Sequence, residues 1–291
     1  MTNQHLVWLI TGTSSGLGRE LVVAALKRGD KVIATARARS LNRLDDLKVK
    51  GADILELDVT DTLGNLREVA RKAVELHGRV DVLINNAGYL LVGALEENTP
   101  EETFDEFNTN VLGALNVTRA FLPYMRERRA GTILFLGSLR GWGAFPNAGI
   151  YTATKFALRG LSTTLHAEIS PLGLRSICAE FGYFRTPILA AARHVPNEVR
   201  IPDYGPVTDA DNAFMEQYDG VQLGDPVKGV ELIVDVVRGE GVARGKQFPT
   251  VLAVGSDCYN IAKTESENTL MRLEDWKDVS CSTDYINSSL L

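Results

Sequence analysis

The stretch "LVWLITGTSSGLGRE", residues 6–20, decides the fold. Its first part, LVWLIT at 6–11, is a short apolar run typical of a strand buried on both faces of a parallel sheet. Gly12 then permits a tight turn, and Gly16 and Gly18 allow the backbone to approach a diphosphate. Helical apolar spacing follows, and a helix N-terminus offers unpaired N–H donors to an anion. The glycine spacing alone also fits an ordinary turn, but its place between strand and helix favours dinucleotide binding.

The rest of the chain repeats the alternation of strand and helix. Six further strands are predicted at 31–36, 53–59, 80–88, 131–138, 174–180 and 248–255. Such repeated βα units build an open parallel sheet with helices on both faces. We therefore predict a single-domain α/β protein, a doubly wound, mainly seven-stranded parallel sheet of the Rossmann type. This domain spans 1–255 and is followed by a C-terminal extension, 256–291.

A long helical pattern runs from about Phe104 to Arg129, and two later segments differ from the simple alternation. Residues 183–224 hold several prolines and glycines with few long apolar runs, and so long a connection inside a domain is typical of a functional lid or substrate loop. The polar, acidic extension carries Trp276 and Tyr285, which we expect to act as docking anchors.

Composition excludes several classes of protein. The formal net charge is −6 and the sequence pI is near 5.4, which argues against a general nucleic-acid binder. No stretch is long and apolar enough for an integral membrane segment, and the N-terminus does not read as a signal peptide. The three cysteines are far apart without metal-ligand spacing, so we expect no metal site and reduced thiols in the cytoplasm.

Residues at the ends of strands two to four indicate which cofactor is bound. Strand two ends at Ala36 and Arg37, where enzymes that prefer NAD carry an acidic residue. A guanidinium suits a 2′-phosphate, so we predict NADP(H), although an exposed loop arginine is the simpler interpretation of Arg37. Asp58 is a candidate acceptor for the adenine amino group, with a turn cap as the alternative. "NNAG", 85–88, has small residues that fit against the cofactor and amides that tie neighbouring strands together.

The pentapeptide "YTATK" places Tyr151 and Lys155 one helical turn apart, on the same helix face. A free phenol has a pKa of about 10 and transfers protons poorly near neutral pH. A nearby ammonium stabilises the phenolate and so makes that proton easier to move. A pair of this kind, if buried, is a proton donor and acceptor; an exposed pair would mean little.

These motifs together resemble the short-chain dehydrogenase/reductase family. "TGTSSGLG", "NNAG", Asn110, Ser138 and "YTATK" occur in the family's order and approximate spacing, and the resemblance covers about residues 6–255. It implies that Tyr151 is the general acid in carbonyl reduction and the general base in alcohol oxidation. It further implies that Lys155 holds the nicotinamide ribose, that Ser138 bonds the substrate oxygen, and that Asn110 binds a water linked to the lysine.

The sequence departs from the family at one position. Where the family usually has Pro-Gly after the sixth strand, this chain has Phe181-Gly182, so a phenylalanine replaces the proline. The departure adds an aromatic ring near the nicotinamide and puts the local loop shape in question. Thr186 still matches the residue that bonds the nicotinamide carboxamide. The predicted catalytic residues are Asn110, Ser138, Tyr151 and Lys155. The predicted cofactor-binding residues are Gly12, Ser15, Gly16, Leu17, Gly18, Arg37, Asp58, Asn86, Gly88, Tyr151, Lys155, Phe184 and Thr186.

The candidate pocket residues favour a small lipophilic ketone, aldehyde or secondary alcohol as substrate. The predicted walls are mostly aromatic: Trp142, Phe145, Tyr183, Phe184, Leu189 and Phe214. Three arginines in the same regions are expected to be solvated: Arg140, Arg185 and Arg193. The family resemblance suggests a homodimer or homotetramer. Two other functions stay open, a non-redox NADP-binding sensor or structural protein and an isomerase or cyclase on the same fold.

Overall fold

The computed structural model describes residues 5–190, 194–196 and 199–285. Seven strands form one parallel sheet in the order β3-β2-β1-β4-β6-β7-β9, which confirms the predicted fold. All seven coincide with predicted strands, and most are shorter at one or both ends. The nine strands of the described residues are β1 Val7–Ile10, β2 Lys31–Ala36, β3 Asp53–Glu56, β4 Val82–Asn85, β5 Leu90–Val92, β6 Gly131–Ser138, β7 Leu174–Phe181, β8 His194–Pro196 and β9 Val251–Val254.

Helices connect the strands and cover the sheet. The α-helices of the described residues are α1 Gly16–Lys27, α2 Asp45–Val49, α3 Leu63–His77, α4 Pro100–Phe107, α5 Ala114–Arg128, α6 Gly149–Ile169, α7 Gly205–Tyr218, α8 Pro226–Arg238, α9 Ser256–Asp275 and α10 Lys277–Cys281. Several begin at the caps that the sequence encodes. Asp225, for example, accepts hydrogen bonds from the N–H groups of Val227 and Lys228 at the start of α8.

The sheet has a hydrophobic core on each face. Trp8 and Ile10 of β1 pack in a cluster with α1 and α8, whereas Val7 and Leu9 pack in a second cluster with α3, α5 and α6. Successive side chains of a strand point to opposite faces, so an unbroken apolar strand is stable only when helices cover both sides. Burying each large apolar side chain contributes about 1.5–3 kcal/mol.

The order of the strands places the ligand crevice. Leu9 of β1 pairs with Ile33 of β2 on one side and with Leu83 of β4 on the other. The chain moves outward from β1 in both directions, and ligands of such sheets bind beyond the carboxyl ends of the strands at this switch point. "TGTSSGLG" and "NNAG" follow β1 and β4 there.

A second, two-stranded parallel sheet was not predicted. Its strands are β5 and β8, with Leu90 paired to His194 and Val92 to Pro196. Three residues are too few to show a strand period in the sequence. The pairing ties the connection after β7 to the segment that follows "NNAG".

The helical pattern predicted from about Phe104 to Arg129 is present, but its centre is not a regular α-helix. Residues Asn108–Gly113 form a π-helical turn between α4 and α5. At Gly113 a Cβ would lie 2.8 Å from the carbonyl oxygen of Val59, so the helix packs closely against the end of the β3 connection. Single π-turns inside helices frequently occur at functional sites, and Asn110 lies in this one.

The two remaining segments are partly helical. The connection 183–224 contains α7, and the C-terminal extension contains α9 and α10. Trp276 is 62% exposed and Tyr285 is 92% exposed, so neither ring is docked into the domain as expected. Within the described residues, no helix has the length and apolar character required to cross a lipid bilayer.

Candidate active site

The phosphate loop after β1 has no room for side chains at two of its glycines. Gly12 has a φ of 70°, and a Cβ there would lie 2.8 Å from the Cα of Ala87. A Cβ at Gly18 would overlap the side-chain nitrogen of Asn86. Gly16, with a φ of 59°, begins α1. The loop therefore leaves backbone N–H groups and a helix N-terminus accessible to an anion.

The "NNAG" segment fixes the shape of this loop. The hydroxyl of Thr11 accepts hydrogen bonds from the N–H groups of Asn86 and Ala87, each at 3.0 Å. The Asn86 amide nitrogen donates to the carbonyl oxygens of Thr11, at 2.7 Å, and Gly12, at 3.0 Å. The prediction that the asparagine amides tie neighbouring strands together is confirmed for Asn86, whereas Asn85 donates to the Thr118 hydroxyl on α5 at 3.0 Å.

The two flanking cofactor candidates lie at the same edge of the sheet. Arg37 directly follows β2, and its side chain is exposed. Asp58 caps a turn, because its Oδ1 accepts from the N–H of Thr60 at 3.0 Å and from its hydroxyl at 2.7 Å. The turn-cap interpretation of Asp58 is therefore correct, and a contact with adenine stays a prediction.

Other predicted cofactor residues line this edge. Ser15 is the N-cap residue of α1, and Leu17 in its first turn packs against the core. Thr186, in the connection after β7, approaches the phosphate loop, since a Cβ at Gly16 would lie 3.7 Å from its Cβ. The structure thus brings Thr186 to the loop from a position 170 residues further along the chain.

Tyr151 and Lys155 lie on α6 and are each only 8% exposed. The Lys155 ammonium is 5.1 Å from the centre of the Tyr151 ring and donates to the carbonyl oxygen of Leu136 at 2.8 Å. Since both side chains are buried, the pair is not a solvated surface pair. The geometry places a fixed positive charge beside a phenol, as a proton-transfer role requires.

Ser138 ends β6, and its side chain is partly exposed at the same edge of the sheet. Its Oγ accepts from the N–H of Arg140 at 3.2 Å, which orients the hydroxyl.

Asn110 is 2% exposed and holds the backbone of Tyr89 from both sides. Its Oδ1 accepts from the Tyr89 N–H at 3.0 Å, and its Nδ2 donates to the Tyr89 carbonyl oxygen at 2.9 Å. A Cβ at Gly88 would lie 2.9 Å from that Oδ1, so the glycine is required for the contact. Asn110 Nδ2 is also 3.4 Å from the hydroxyl of Thr154 on α6, which links the π-turn to the Tyr151 helix.

Glu106 is a buried acid that sequence reasoning missed. It lies on α4, one helical turn before Asn110, and is 0% exposed. Burial raises the pKa of its carboxyl group to about 8, despite the N–H of Leu91 and the charge of Lys155, which favour the ionised form. Its spacing of four residues from Asn110 was the signal available in the sequence.

Two phenylalanine rings that were expected near the pocket or the nicotinamide pack in the core. Phe184 was expected to line the pocket, but its ring is 6% exposed and packs edge-on against Phe181 in the α1/α8 core, with ring centres 5.0 Å apart. Cβ atoms at Gly224 and Gly229 would each lie 2.5 Å from the Phe184 ring, so both glycines make room for it. The ring of Phe181 is part of this core. A cofactor contact by Phe184 stays a prediction.

The expected aromatic walls are found only in part. Leu189 and Met215 pack with Tyr151, and Tyr183 and Tyr218 pack against this group. Phe214 stacks on Tyr218 at 5.2 Å. The connection 183–224 therefore covers Tyr151 with apolar and aromatic side chains.

Trp142 has a different environment from the one predicted. Its indole N–H donates to Glu180 at 2.6 Å, and its ring lies 3.7 Å from the guanidinium of Arg159.

The expectation that three arginines are solvated was wrong for Arg140. Its side chain is 3% exposed, Nη2 donates to the Tyr183 hydroxyl at 3.3 Å, and the guanidinium lies 4.9 Å from the Phe145 ring. Tyr183 encloses the guanidinium that the sequence pattern placed in solvent. Arg185 is exposed as expected, and Arg193 lies outside the described residues.

The fold and this edge of the sheet together define a Rossmann-type α/β protein with a glycine-rich loop after β1 and a buried tyrosine and lysine. The sequence pattern described as short chain dehydrogenase matches residues 6–197. The chain is 32% identical over 276 residues to oxidoreductase BOA17 of Botryotinia fuckeliana, covering 94% of this chain and 97% of that protein. The chain belongs to the short-chain dehydrogenase family and to the oxidoreductases.

Solved structures agree with this assignment. A short-chain dehydrogenase from Streptomyces avermitilis superposes with a TM-score of 0.86 and 36% identity, over 98% of this chain and all of that one. A polyketide ketoreductase for actinorhodin, solved with NADPH, has a TM-score of 0.73 and 26% identity, covering 89% of this chain and 99% of that one. A short-chain dehydrogenase/reductase from Burkholderia phymatum, solved with NAD, shares the fold with a TM-score of 0.80 and 22% identity, covering 94% of this chain and 96% of that one. The family members thus bind nicotinamide cofactors of both kinds.

Proposed function

We propose that this protein is an NADP(H)-dependent reductase or dehydrogenase. It transfers a hydride between nicotinamide and a lipophilic ketone, aldehyde or secondary alcohol, with Tyr151 as general acid or base. The observation that carries the proposal is the buried pair of Tyr151 and Lys155, in which Lys155 is bonded to Leu136, two residues before Ser138 on β6.

The residues at the sheet edge fit a dinucleotide. Gly12, Gly16 and Gly18 leave the backbone N–H groups of the loop and of α1 accessible to the diphosphate. Thr186 approaches from the other side and suits the nicotinamide carboxamide. When bound, the cofactor supplies or accepts the hydride.

Arg37 supports a preference for NADP(H). It is exposed directly after β2, and no acidic residue occurs between Ala36 and Leu44 to repel a 2′-phosphate. The polyketide ketoreductase bound to NADPH is a related precedent, whereas the NAD complex from Burkholderia phymatum shows that the fold alone does not decide.

The chain's own residues provide the proton chemistry. In reduction, the Tyr151 hydroxyl donates its proton to the carbonyl oxygen as negative charge develops there. Ser138 donates a second hydrogen bond to the same oxygen. Lys155 stabilises the tyrosinate that remains, and Asn110 holds the adjacent backbone of Tyr89 in place. In oxidation, the same groups act in reverse.

The cover over Tyr151 supports a lipophilic substrate. Leu189, Met215 and Tyr218 come from the connection 183–224, which we propose to be the substrate loop. Apolar walls exclude water and strengthen the electrostatic contacts inside.

Two further features bear on the compartment and the oligomeric state that we propose. The buried thiols of Cys178 and Cys258 agree with a reducing compartment, the cytoplasm. Exposed Phe104 and Leu112 support self-association into a homodimer or homotetramer.

Two variants test the mechanism in a ketone screen that follows NADPH absorbance. Tyr151→Phe removes one hydroxyl, so we expect normal folding, retained NADPH binding and turnover lower by about 10² or more. Lys155→Ala removes a ribose contact as well as a charge, so NADPH affinity should also fall. Turnover by folded Tyr151→Phe at the wild-type rate would refute the mechanism. If the protein binds NADPH but neither reduces a ketone or aldehyde nor oxidises an alcohol, the result would favour a cofactor-binding sensor.

A further inference from the structure

Glu106 has an incomplete set of hydrogen bonds for a buried carboxylate. Its Oε1 accepts from the N–H of Leu91 at 3.1 Å and lies 3.4 Å from the amide nitrogen of Asn110. Its Oε2 is buried and has no hydrogen-bond partner among the described residues. A carboxylate that is 0% exposed normally requires an ion pair or several donors. A protonated carboxyl group at this position carries a smaller cost, because it has no net charge to desolvate.

The groups that face Glu106 provide only partial compensation for a negative charge. Lys155 on α6 is the cation that acts on it, and its ammonium is already bonded to the Leu136 carbonyl oxygen. Tyr89, ahead of β5, stays neutral because burial and nearby acids raise its pKa to about 12. On α4 itself, Glu102 and Asp105 are further negative charges close to Tyr89. The surroundings therefore favour the neutral acid.

The contacts of Glu106 lead directly to the reaction centre. Leu91 and the preceding Leu90 belong to β5, and Leu90 packs with Tyr151. Asn110 fixes the backbone of Tyr89, one residue before β5, by two hydrogen bonds. Glu106 thus joins the π-turn to the Tyr89–Leu91 segment. Because it is 0% exposed, it has no surface through which to contact a substrate.

We propose that Glu106 is a positioning residue for the reaction. Its Oε1 keeps the Asn110 amide and the Tyr89–Leu91 segment aligned beside Tyr151. A negative charge on this buried group, whose Oε2 has no partner among the described residues, would draw water in and disturb that alignment. The inference rests on the oxidoreductase function proposed above and adds a residue that acts through Asn110.

The activity test compares two substitutions over a range of pH. Glu106→Gln keeps the shape and the Oε1 acceptor but cannot ionise, whereas Glu106→Leu removes the acceptor. Wild-type kcat/KM should fall about tenfold per pH unit above the carboxyl pKa, and Glu106→Gln should lack that decline. Glu106→Leu should lose about 10- to 100-fold in kcat at all pH values with NADPH affinity kept, since misplacement of a reacting group has effects of this size. The glutamine should restore most of that loss.

A matched control separates this role from a general effect of removing an acid. Glu68 on α3 is exposed, and Glu68→Gln should have the pH profile of the wild type. A decline that persists unchanged in Glu106→Gln would overturn the proposal. So would a glutamine variant as inactive as the leucine variant.

Two measurements decide the question even if no ketone is reduced. Infrared difference spectra of wild type minus Glu106→Gln should show a protonated carboxyl band at neutral pH that disappears on alkaline titration. Hydrogen exchange at the Leu91 N–H should be faster in Glu106→Leu than in Glu106→Gln. Absence of the band, or equal exchange in the two variants, would overturn the assignment, whereas inactivity alone would count only against the proposed function.

Discussion

Replacing Glu106 by glutamine should change how the free energy of unfolding depends on pH. The carboxyl pKa is about 8 in the folded protein against an ordinary value of 4.5. Between these values the folded state keeps a proton that the unfolded state has lost. Stability therefore decreases as pH rises through this window and becomes constant above it.

The size of the effect follows from the same two values. Each pH unit in the window reduces the free energy of unfolding by about 1.4 kcal/mol, so the full range corresponds to about 5 kcal/mol. Relaxation and water entry around the charge lower this figure, and we expect about 2 to 5 kcal/mol. Glutamine does not titrate, so Glu106→Gln should gain this amount relative to wild type between pH 5 and pH 8. A constant offset from the buried NH₂ group, roughly 1–3 kcal/mol, does not affect the slope.

Urea unfolding of the two proteins at a series of pH values gives the difference directly. All other titrating groups, including buried Glu180, are common to both proteins and cancel in the subtraction. Glu68→Gln serves as the control and should not gain stability with rising pH, because the Arg71 hydrogen bond lowers the pKa of that exposed carboxyl group. Parallel curves for wild type and Glu106→Gln would refute the claim that the folded protein holds this proton.

Three further predictions concern the cofactor and the substrate loop. Gly18→Ala should weaken NADPH binding and lower the free energy of unfolding by about 1–3 kcal/mol, because the added methyl group overlaps Asn86. Gly160→Ala on α6, where a Cβ meets nothing within 4 Å, should raise the free energy of unfolding by about 0.5–1 kcal/mol. Similar thermal melts for the two variants would contradict the reasoning. Calorimetry should show tighter binding of NADPH than NADH, with Arg37→Asp reversing the order; equal affinities in the wild type would count against the assigned role. Hydrogen exchange in residues 183–224 should slow when NADPH and substrate are both bound, and strong protection without ligands would exclude a lid.

The phosphate loop, the strands and the Tyr151 helix could be predicted from the sequence because their signals are local. An unbroken apolar strand is stable only with helices on both faces, so the apolar run of β1 by itself predicts a covered sheet. In the structure Ile10 packs on one face of the sheet and Leu9 on the other. Tyr151 and Lys155 are neighbours on any helix, so their proximity required only the helical period.

Tertiary contacts decided the features that have no local period. Burial of Glu106 and Arg140 depends on which elements pack over them, and Tyr183, which encloses Arg140, comes from a connection whose path is not encoded in spacing. The π-turn at Asn110 and the pairing of β5 with β8 likewise depend on packing against distant segments.

The identity of the acids and bases at the site was therefore present in the sequence, but their protonation was not. From the sequence, Glu106 is an ordinary charged residue on an amphipathic helix, and only the folded structure shows that its carboxyl group is shielded from solvent. A carboxyl pKa depends on the solvent and charges within a few ångströms, and for Glu106 those neighbours come from α4, β5 and α6. Sequence determined which residues can titrate, and the three-dimensional packing decided how strongly each of them holds its proton.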